Sequence, residues 1–169
     1  TLVGLLSGAL RPSAGRVLFD GQDVTALPAS ERARRGIGRT YQIPRPFLHM
    51  SVLENLLAAR LSRHPFAPAA AARAACQSIL ERCGLADAAA LLGRELPLRR
   101  RKRLEVARAL ALEPKWLLLD EVGAGLVDSE ISELTALIRT LAAELQGIII
   151  VEHVLRVVRE CCARLLVID

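Results

Sequence analysis

Trp116-Leu117-Leu118-Leu119-Asp120-Glu121 is the stretch that most limits how this chain can fold. Four apolar residues follow one another without alternation and stop at two adjacent carboxylates. A short unbroken apolar run, bracketed by Pro114 and Gly123, fits a strand covered on both faces inside a parallel sheet; a half-exposed strand would alternate apolar with polar positions. Open sheets of that kind hold ligands beyond the carboxyl ends of their strands. Asp120 and Glu121 therefore emerge at the ligand edge, where neighbouring acids suit holding a cation and drawing a proton from water. A solvated strand end explains the motif equally well until its surroundings are read.

Those surroundings alternate strand with helix. Residues 1–9 carry Leu2, Leu5 and Leu6 at helical spacing and close at Gly8; residues 16–24 read as a hairpin turning at Asp20-Gly21. A short polar helix over 28–35 and a strand over 37–42 follow, before Pro44 and Pro46 break the pattern. Ser51 and Glu54 form a capping-box pair, which starts a helix running to about residue 60. An alanine-rich helix covers 69–83, with Cys76 and Cys83 on one face, and a short helix covers 87–92. Residues 51–98 thus read as an all-helical insert between regions that contain strands. A helix over 100–112 turns Leu104, Ala107, Leu110 and Ala111 inward. Asp128 is placed to cap a helix running to about residue 144, with Ile131, Leu134, Leu137, Ile138 and Leu141 as its apolar stripe. A second buried strand over 148–151, a helix over 154–162 and a last buried strand over 165–169 complete the alternation, which means a parallel sheet covered by helices.

Length and composition narrow the class. The chain has 169 residues, 52% hydrophobic and only 3% aromatic, enough for one domain whose core is built from Leu, Val, Ile and Ala. The scarcity of aromatics argues against a single-strand stacking surface. Its net charge of +5 is carried by arginine, lysine occurring only at 102 and 115, and suits an anionic ligand or surface. No run is long enough to cross a bilayer and no secretory leader is visible. Cys76, Cys83 and the vicinal Cys161-Cys162 show no zinc spacing, so reduced thiols are expected. The chain opens on Thr1 and stops on an apolar run, and is read as part of a longer domain.

Four further features flank the acid pair. Gln42 stands at a strand end before a proline-rich loop, where an amide can touch a metal or a water and link them to the helical insert. His153 ends the strand after Glu121, where an imidazole can contact a terminal phosphate. Leu96-Pro97-Leu98 and the basic run Arg99-Arg100-Arg101-Lys102-Arg103 open a helix, and a helix N-terminus favours anions. Ala124-Gly125-Leu126 is a small-residue loop after Glu121. In this order the features resemble the ATP-binding subunit of ABC transporters over nearly the whole chain: Gln42 falls on the Q-loop, Leu96 onward on the signature, Trp116 to Glu121 on Walker B, Ala124 to Val127 on the D-loop and His153 on the switch histidine. Arg39-Thr40-Tyr41-Gln42-Ile43-Pro44-Arg45-Pro46-Phe47, Ser51-Val52-Leu53-Glu54-Asn55, Gly15-Arg16-Val17-Leu18-Phe19-Asp20-Gly21 and Arg103-Leu104-Glu105-Val106-Ala107-Arg108-Ala109-Leu110 are similar to the branched-chain amino-acid (LIV-type) importers.

The resemblance implies an α/β, P-loop NTPase-like parallel sheet covered by helices, with an antiparallel β-hairpin and an all-helical insert. Residues 1–50 and 99–169 would form the nucleotide-binding core, and 51–98 the subdomain that contacts a permease. ATP and Mg2+ are the implied cofactors. Asp120 and Gln42 would serve the metal, Glu121 would act as general base, and His153 would contact the γ-phosphate. Thr1 would be the second hydroxyl of the phosphate loop, and Pro97, Leu98 and Arg99 the signature that completes a partner's site. The implied partners are a second ATP-binding subunit, permease subunits and, indirectly, a periplasmic solute-binding protein, with no nucleic acid; the implied location is the cytoplasmic face of the inner membrane. Departures from the family pattern are specific. The phosphate-loop lysine is expected upstream of Thr1, since neither Lys102 nor Lys115 follows a glycine-rich turn. Pro97 replaces the signature serine, Leu98 and Arg99 stand at its glycine positions, and Val127 replaces the polar D-loop residue. A non-catalytic partner subunit and a nucleic-acid-associated ATPase of related fold therefore stay open beside the transport motor.

Overall fold

In the computed structural model, which describes residues 2–168, the apolar run becomes the middle strand of a three-stranded parallel sheet. In chain order the elements are α1 (Leu2–Ser7), the hairpin strands β1 (Leu18–Phe19) and β2 (Gln22–Asp23), α2 (Ala29–Arg34), β3 (Ile37–Arg39), α3 (Val52–Arg63), α4 (Ala69–Arg82), two 3-10 turns (Ala86–Ala88 and Gly93–Glu95), α5 (Leu98–Ala111), β4 (Trp116–Asp120), α6 (Asp128–Ala142), β5 (Gly147–Val151) and α7 (Leu155–Cys161). The sheet runs β3-β4-β5, pairing Ile37 with Trp116 on one side and Trp116 with Gly147 on the other. The hairpin turns at Asp20 and Gly21, both at positive φ (49° and 75°), as a two-residue turn between twisted strands requires.

Central placement explains the unbroken apolar sequence of β4. Successive strand residues face opposite sides of a sheet. Leu117 and Leu119 enter a large cluster with Ile148 and Ile150 and with residues from α3 through α7, whereas Leu118 enters a smaller one with Val3, Ile37 and Ile149. Gly147 opposes Trp116, whose ring would lie 2.4 Å from a Cβ at that position, so only glycine fits there. Cys76 and Cys83 are buried in the large cluster, in keeping with a packing role.

Several elements differ from the sequence reading, each for a local reason. The strand expected over 37–42 ends at Arg39: the Asp120 N–H donates to the Thr40 hydroxyl (3.1 Å) rather than to another strand carbonyl, and the chain then turns toward its prolines. Gln42 consequently sits in the loop beyond the strand. No α-helix forms over 87–92, where the Leu91 and Ala89 carbonyls instead accept the Val52 and Leu53 N–H groups (2.9 and 3.0 Å), which start α3. The capping box at the same end is present, with Ser51 Oγ accepting from Glu54 N and Glu54 Oε2 from Ser51 N. Asp128 does not cap α6 but is its first residue; Val127 holds the cap position and donates its N–H to Glu130 (3.1 Å). β5 is half-buried along its length rather than fully covered, being the outer strand of the described sheet. Leu165, Leu166, Val167 and Ile168 form no strand and are each at least 65% exposed, because no described strand pairs with them. Asp169 lies outside the described residues.

Candidate functional site

The upper edge of the sheet gathers the acid pair with two residues remote in sequence. Asp120 is the last residue of β4, paired with Val151, and is half-buried. Glu121 follows with its N–H on the Val151 carbonyl (2.9 Å) and its backbone in the left-handed region at φ 48°. That turn aims the carboxylate back across the sheet edge. Gln42 Nε2 donates to Glu121 Oε2 at 2.7 Å, and His153 Nδ1 lies 4.0 Å from the same oxygen. The His153 side chain is 66% exposed and that of Glu121 29%, so the cluster opens to solvent and to a ligand. Gln42, Glu121 and His153, with Asp120 beside them, thus share one place.

The expected signature residues stand apart from this cluster. Pro97 is the N-cap of α5, and Leu98, half-exposed, leans toward Gly125. Arg99 has its guanidinium 3.6 Å from the Glu130 carboxylate. Thr1 lies outside the described residues. The basic run does not present five free cations: Arg100 pairs with Asp87, Arg103 with Glu133, and Arg101 donates to the Leu96 and Arg94 carbonyls. Lys102 points inward.

Supporting residues that the sequence reading passed over hold the two loops of the site. Lys102 is 7% exposed and donates to the carbonyls of Glu121 (3.1 Å), Val122 (3.2 Å) and Ala124. Burial pulls its ammonium below the usual lysine range, while Glu152 and Glu121 push it back up. Glu152 Oε1 accepts the Gly123 N–H at 2.5 Å, and its other oxygen accepts those of His153 and Val154. One turn along α5, buried Glu105 accepts the Arg45 N–H (3.0 Å) and pairs with Arg108, whose guanidinium also reaches the Arg45 carbonyl and covers the Phe47 ring. Burial raises the Glu105 carboxyl above its usual range, against the lowering by Arg108 and the Arg45 N–H. Lys102, Glu105, Val106 and Ala109 lie on one buried stripe of α5, opposite the face of Leu104, Ala107 and Ala111 that helical spacing turns inward, so the spacing gives no signal for them.

The donor set suits a hard cation. Asp120 at the end of β4 offers carboxylate oxygens, and Gln42, whose Nε2 is held by Glu121, keeps its amide oxygen for a ligand; neither is a thiolate. Among the described residues no three His, Cys, Asp or Glu side chains are grouped to hold a metal by themselves. Such an edge fits Mg2+, which takes one or two protein oxygens and completes its shell with phosphate and water.

A family profile described as "ABC transporter" matches residues 1–124. This chain belongs to the ABC transporter family. It is 36% identical over 160 residues to the lipopolysaccharide export system ATP-binding protein LptB of Acidithiobacillus ferridurans, an alignment covering 95% of this chain and 66% of that ABC protein. It is 32% identical over 184 residues to the high-affinity branched-chain amino acid transport ATP-binding protein BraF of Pseudomonas aeruginosa, covering 100% of this chain and 72% of BraF. The chain therefore spans about two thirds of the length of these ABC relatives. A nucleotide-free ATP-binding cassette from an ABC transporter superimposes with a TM-score of 0.82 at 28% identity, over 95% of this chain and 68% of that one. The expected fold class is thereby established. No helix among the described residues is long and apolar enough to cross a membrane.

Proposed function

We propose that this chain binds and hydrolyses ATP as the nucleotide-binding subunit of a transporter, and that it drives import of branched-chain or related small amino acids across the cytoplasmic membrane. The observation that carries the reading is the 2.7 Å bond from Gln42 to Glu121, made between residues 79 apart, with His153 against the same carboxylate oxygen. Bound Mg2+ would neutralise charge on the β- and γ-phosphates. Asp120, at the strand end, would hold it through oxygen, with Gln42 as a further oxygen ligand. Glu121 would accept the proton of the attacking water; its carboxylate is already oriented by the Gln42 amide. His153, largely exposed, would donate to the γ-phosphate. Pro97, Leu98 and Arg99 would face the nucleotide of a second ATP-binding subunit. Residues 51–98, joined to Gln42 through the loop that Glu105 and Arg108 hold, would carry the site's state to the permease subunits, and a periplasmic solute-binding protein would act through those subunits.

The substrate assignment rests on the wording around Gln42, Ser51 and Arg103 and on similarity to the branched-chain amino-acid protein. The similar identity to a lipopolysaccharide-export protein supports the motor without choosing the cargo. Glu121→Gln tests the motor: ATP binding stays within about threefold while turnover falls at least about a hundredfold. Undiminished turnover would remove Glu121 from the base role. Arg99 and Pro97 favour a second reading, a partner subunit that binds ATP but does not complete the opposing site. Proline lacks an N–H, and arginine fills a position where backbone must approach phosphate closely. ATP turnover by a purified homodimer excludes that reading.

A further inference from the structure

We propose that Lys102 is a positioning residue for Glu121: its ammonium draws together the carbonyls of the loop after β4 and so fixes the direction in which the Glu121 carboxylate points. The inference rests on the reading of Glu121 as the base and adds to it the residue that orients that base.

Glu121 is a non-glycine residue at φ 48°. Such a backbone is disfavoured by its own Cβ and persists only where the surroundings over-determine it. Here they do so from two sides. From below, Lys102 Nζ reaches the carbonyls of Glu121, Val122 and Ala124. An ammonium has three N–H donors and no acceptor, so three carbonyls satisfy it completely. From above, the Glu152 carboxylate takes the Gly123 N–H with one oxygen and the N–H groups of His153 and Val154 with the other. A cation on the carbonyl side and an anion on the amide side therefore grip the same short loop, and the anion also holds the chain beside His153. Without the ammonium, the Val122 and Ala124 carbonyls would lose their donor and the Glu121 carbonyl would keep only the Ala124 N–H (3.3 Å), in a place that is only 7% exposed at Lys102, and the loop would relax by turning one of them out. The Glu121 carbonyl is one of the three, so relaxation rotates the residue that carries the base.

The choice of lysine fits this duty. The chain is otherwise basic through arginine, with lysine only at 102 and 115. A guanidinium is a planar fork suited to paired oxygens in one plane, whereas three carbonyls converging on a point need a compact tetrahedral donor. Burial lowers the tendency of this ammonium to keep its proton, and the Glu152 and Glu121 carboxylates that face it restore part of it.

The test separates local positioning from general stability. Backbone amide hydrogen exchange is measured on the full chain as wild type, Lys102→Met and Lys102→Arg. In both variants the amides of Glu121, Gly123 and Ala124 are expected to exchange at least about tenfold faster, the factor carried by one lost hydrogen bond. Amides over 131–141 in α6 are expected to keep their rates. ATP turnover, measured in parallel, is expected to lose kcat with KM for ATP changed less than about twofold. Unchanged loop exchange in Lys102→Met overturns the proposal. So does equal acceleration in the loop and α6, or failure of both variants to fold, since the residue then holds the fold as a whole. Full retention of loop protection by Lys102→Arg overturns the three-carbonyl argument. Turnover that Glu121→Gln leaves undiminished counts against the Glu121 base reading alone, because the exchange measurement does not depend on catalysis.

Discussion

Asn55 is the side chain whose removal offers the sharpest numerical test of how the loop beyond Gln42 is held. It is fully buried in the first turns of α3. Its Oδ1 accepts the Phe47 N–H at 2.8 Å, and its Nδ2 donates to the carbonyls of Ser51 (2.9 Å), Phe47 (3.1 Å) and Met50 (3.3 Å). Two amide hydrogens shared over three carbonyls, plus one accepted bond, amount to three net interactions worth about 1 kcal/mol each. Alanine at a helical position returns roughly 0.5 kcal/mol through its better propensity. Asn55→Ala is therefore expected to cost about 2.5 kcal/mol, seen as a Tm lower by roughly 5–10 °C for a chain of this size. Urea unfolding followed by circular dichroism supplies the free energy independently. Asn55→Asp sharpens the test. It keeps the acceptor for Phe47 but sets a carboxylate against three carbonyls, so its folded-state pKa is raised. Stability is then retained at low pH and lost as pH rises through that pKa, with a cost at neutral pH exceeding that of alanine. A loss below about 0.5 kcal/mol for Asn55→Ala, or an Asn55→Asp variant as stable at pH 7 as the wild type, would refute the assignment of these bonds.

Two further outcomes follow from other parts of the molecule. Arg32 is 1% exposed and donates to the carbonyls of Leu5, Leu6, Thr25 and Leu27, tying the end of α1 to the hairpin exit; Arg32→Met should lower stability by about 3 kcal/mol in the same unfolding assay. Burial raises all four thiols above the ordinary cysteine value, Cys83 to about 12 and Cys161 to about 11, the latter also through Cys162. At pH 8 a disulfide reagent should therefore modify native protein slowly, at the half-buried Cys161 and Cys162 before the buried Cys76 and Cys83, with prompt reaction of all four on unfolding.

Patterns that depend on one element could be read from the residues; those that depend on two could not. The apolar run before Asp120 announced a central strand because its neighbours cover both faces. The Ser51–Glu54 pair announced a helix start because both partners lie within one turn. The end of β3 is not legible in its own residues, because the Thr40 hydroxyl that stops it accepts the Asp120 N–H across the sheet. The helix expected over 87–92 failed because its carbonyls serve α3. The apolar run at 165–168 looked like β-structure by composition, yet a strand requires a partner as well as a composition. Gln42 and His153 stand out by position at strand ends, and the structure brings both to Glu121. Lys102 is hidden in a basic run that reads as surface, on the face of α5 opposite Leu104 and Ala107; it is buried because the loop after β4 packs over that face, a contact between two elements.

The large apolar cluster has a consequence for recombination. Leu53, Leu56, Cys76 and Leu80 of α3 and α4 share one core with Leu104 and Ala107 of α5 and with Leu117 and Leu119 of the sheet. The helical segment is thus packed into a joint to which α5 contributes directly. A chimera that takes residues 51–95 from a relative and leaves α5 behind would mate two mismatched surfaces; carrying the exchange through Ala111 keeps the contact between these helices and α5 native.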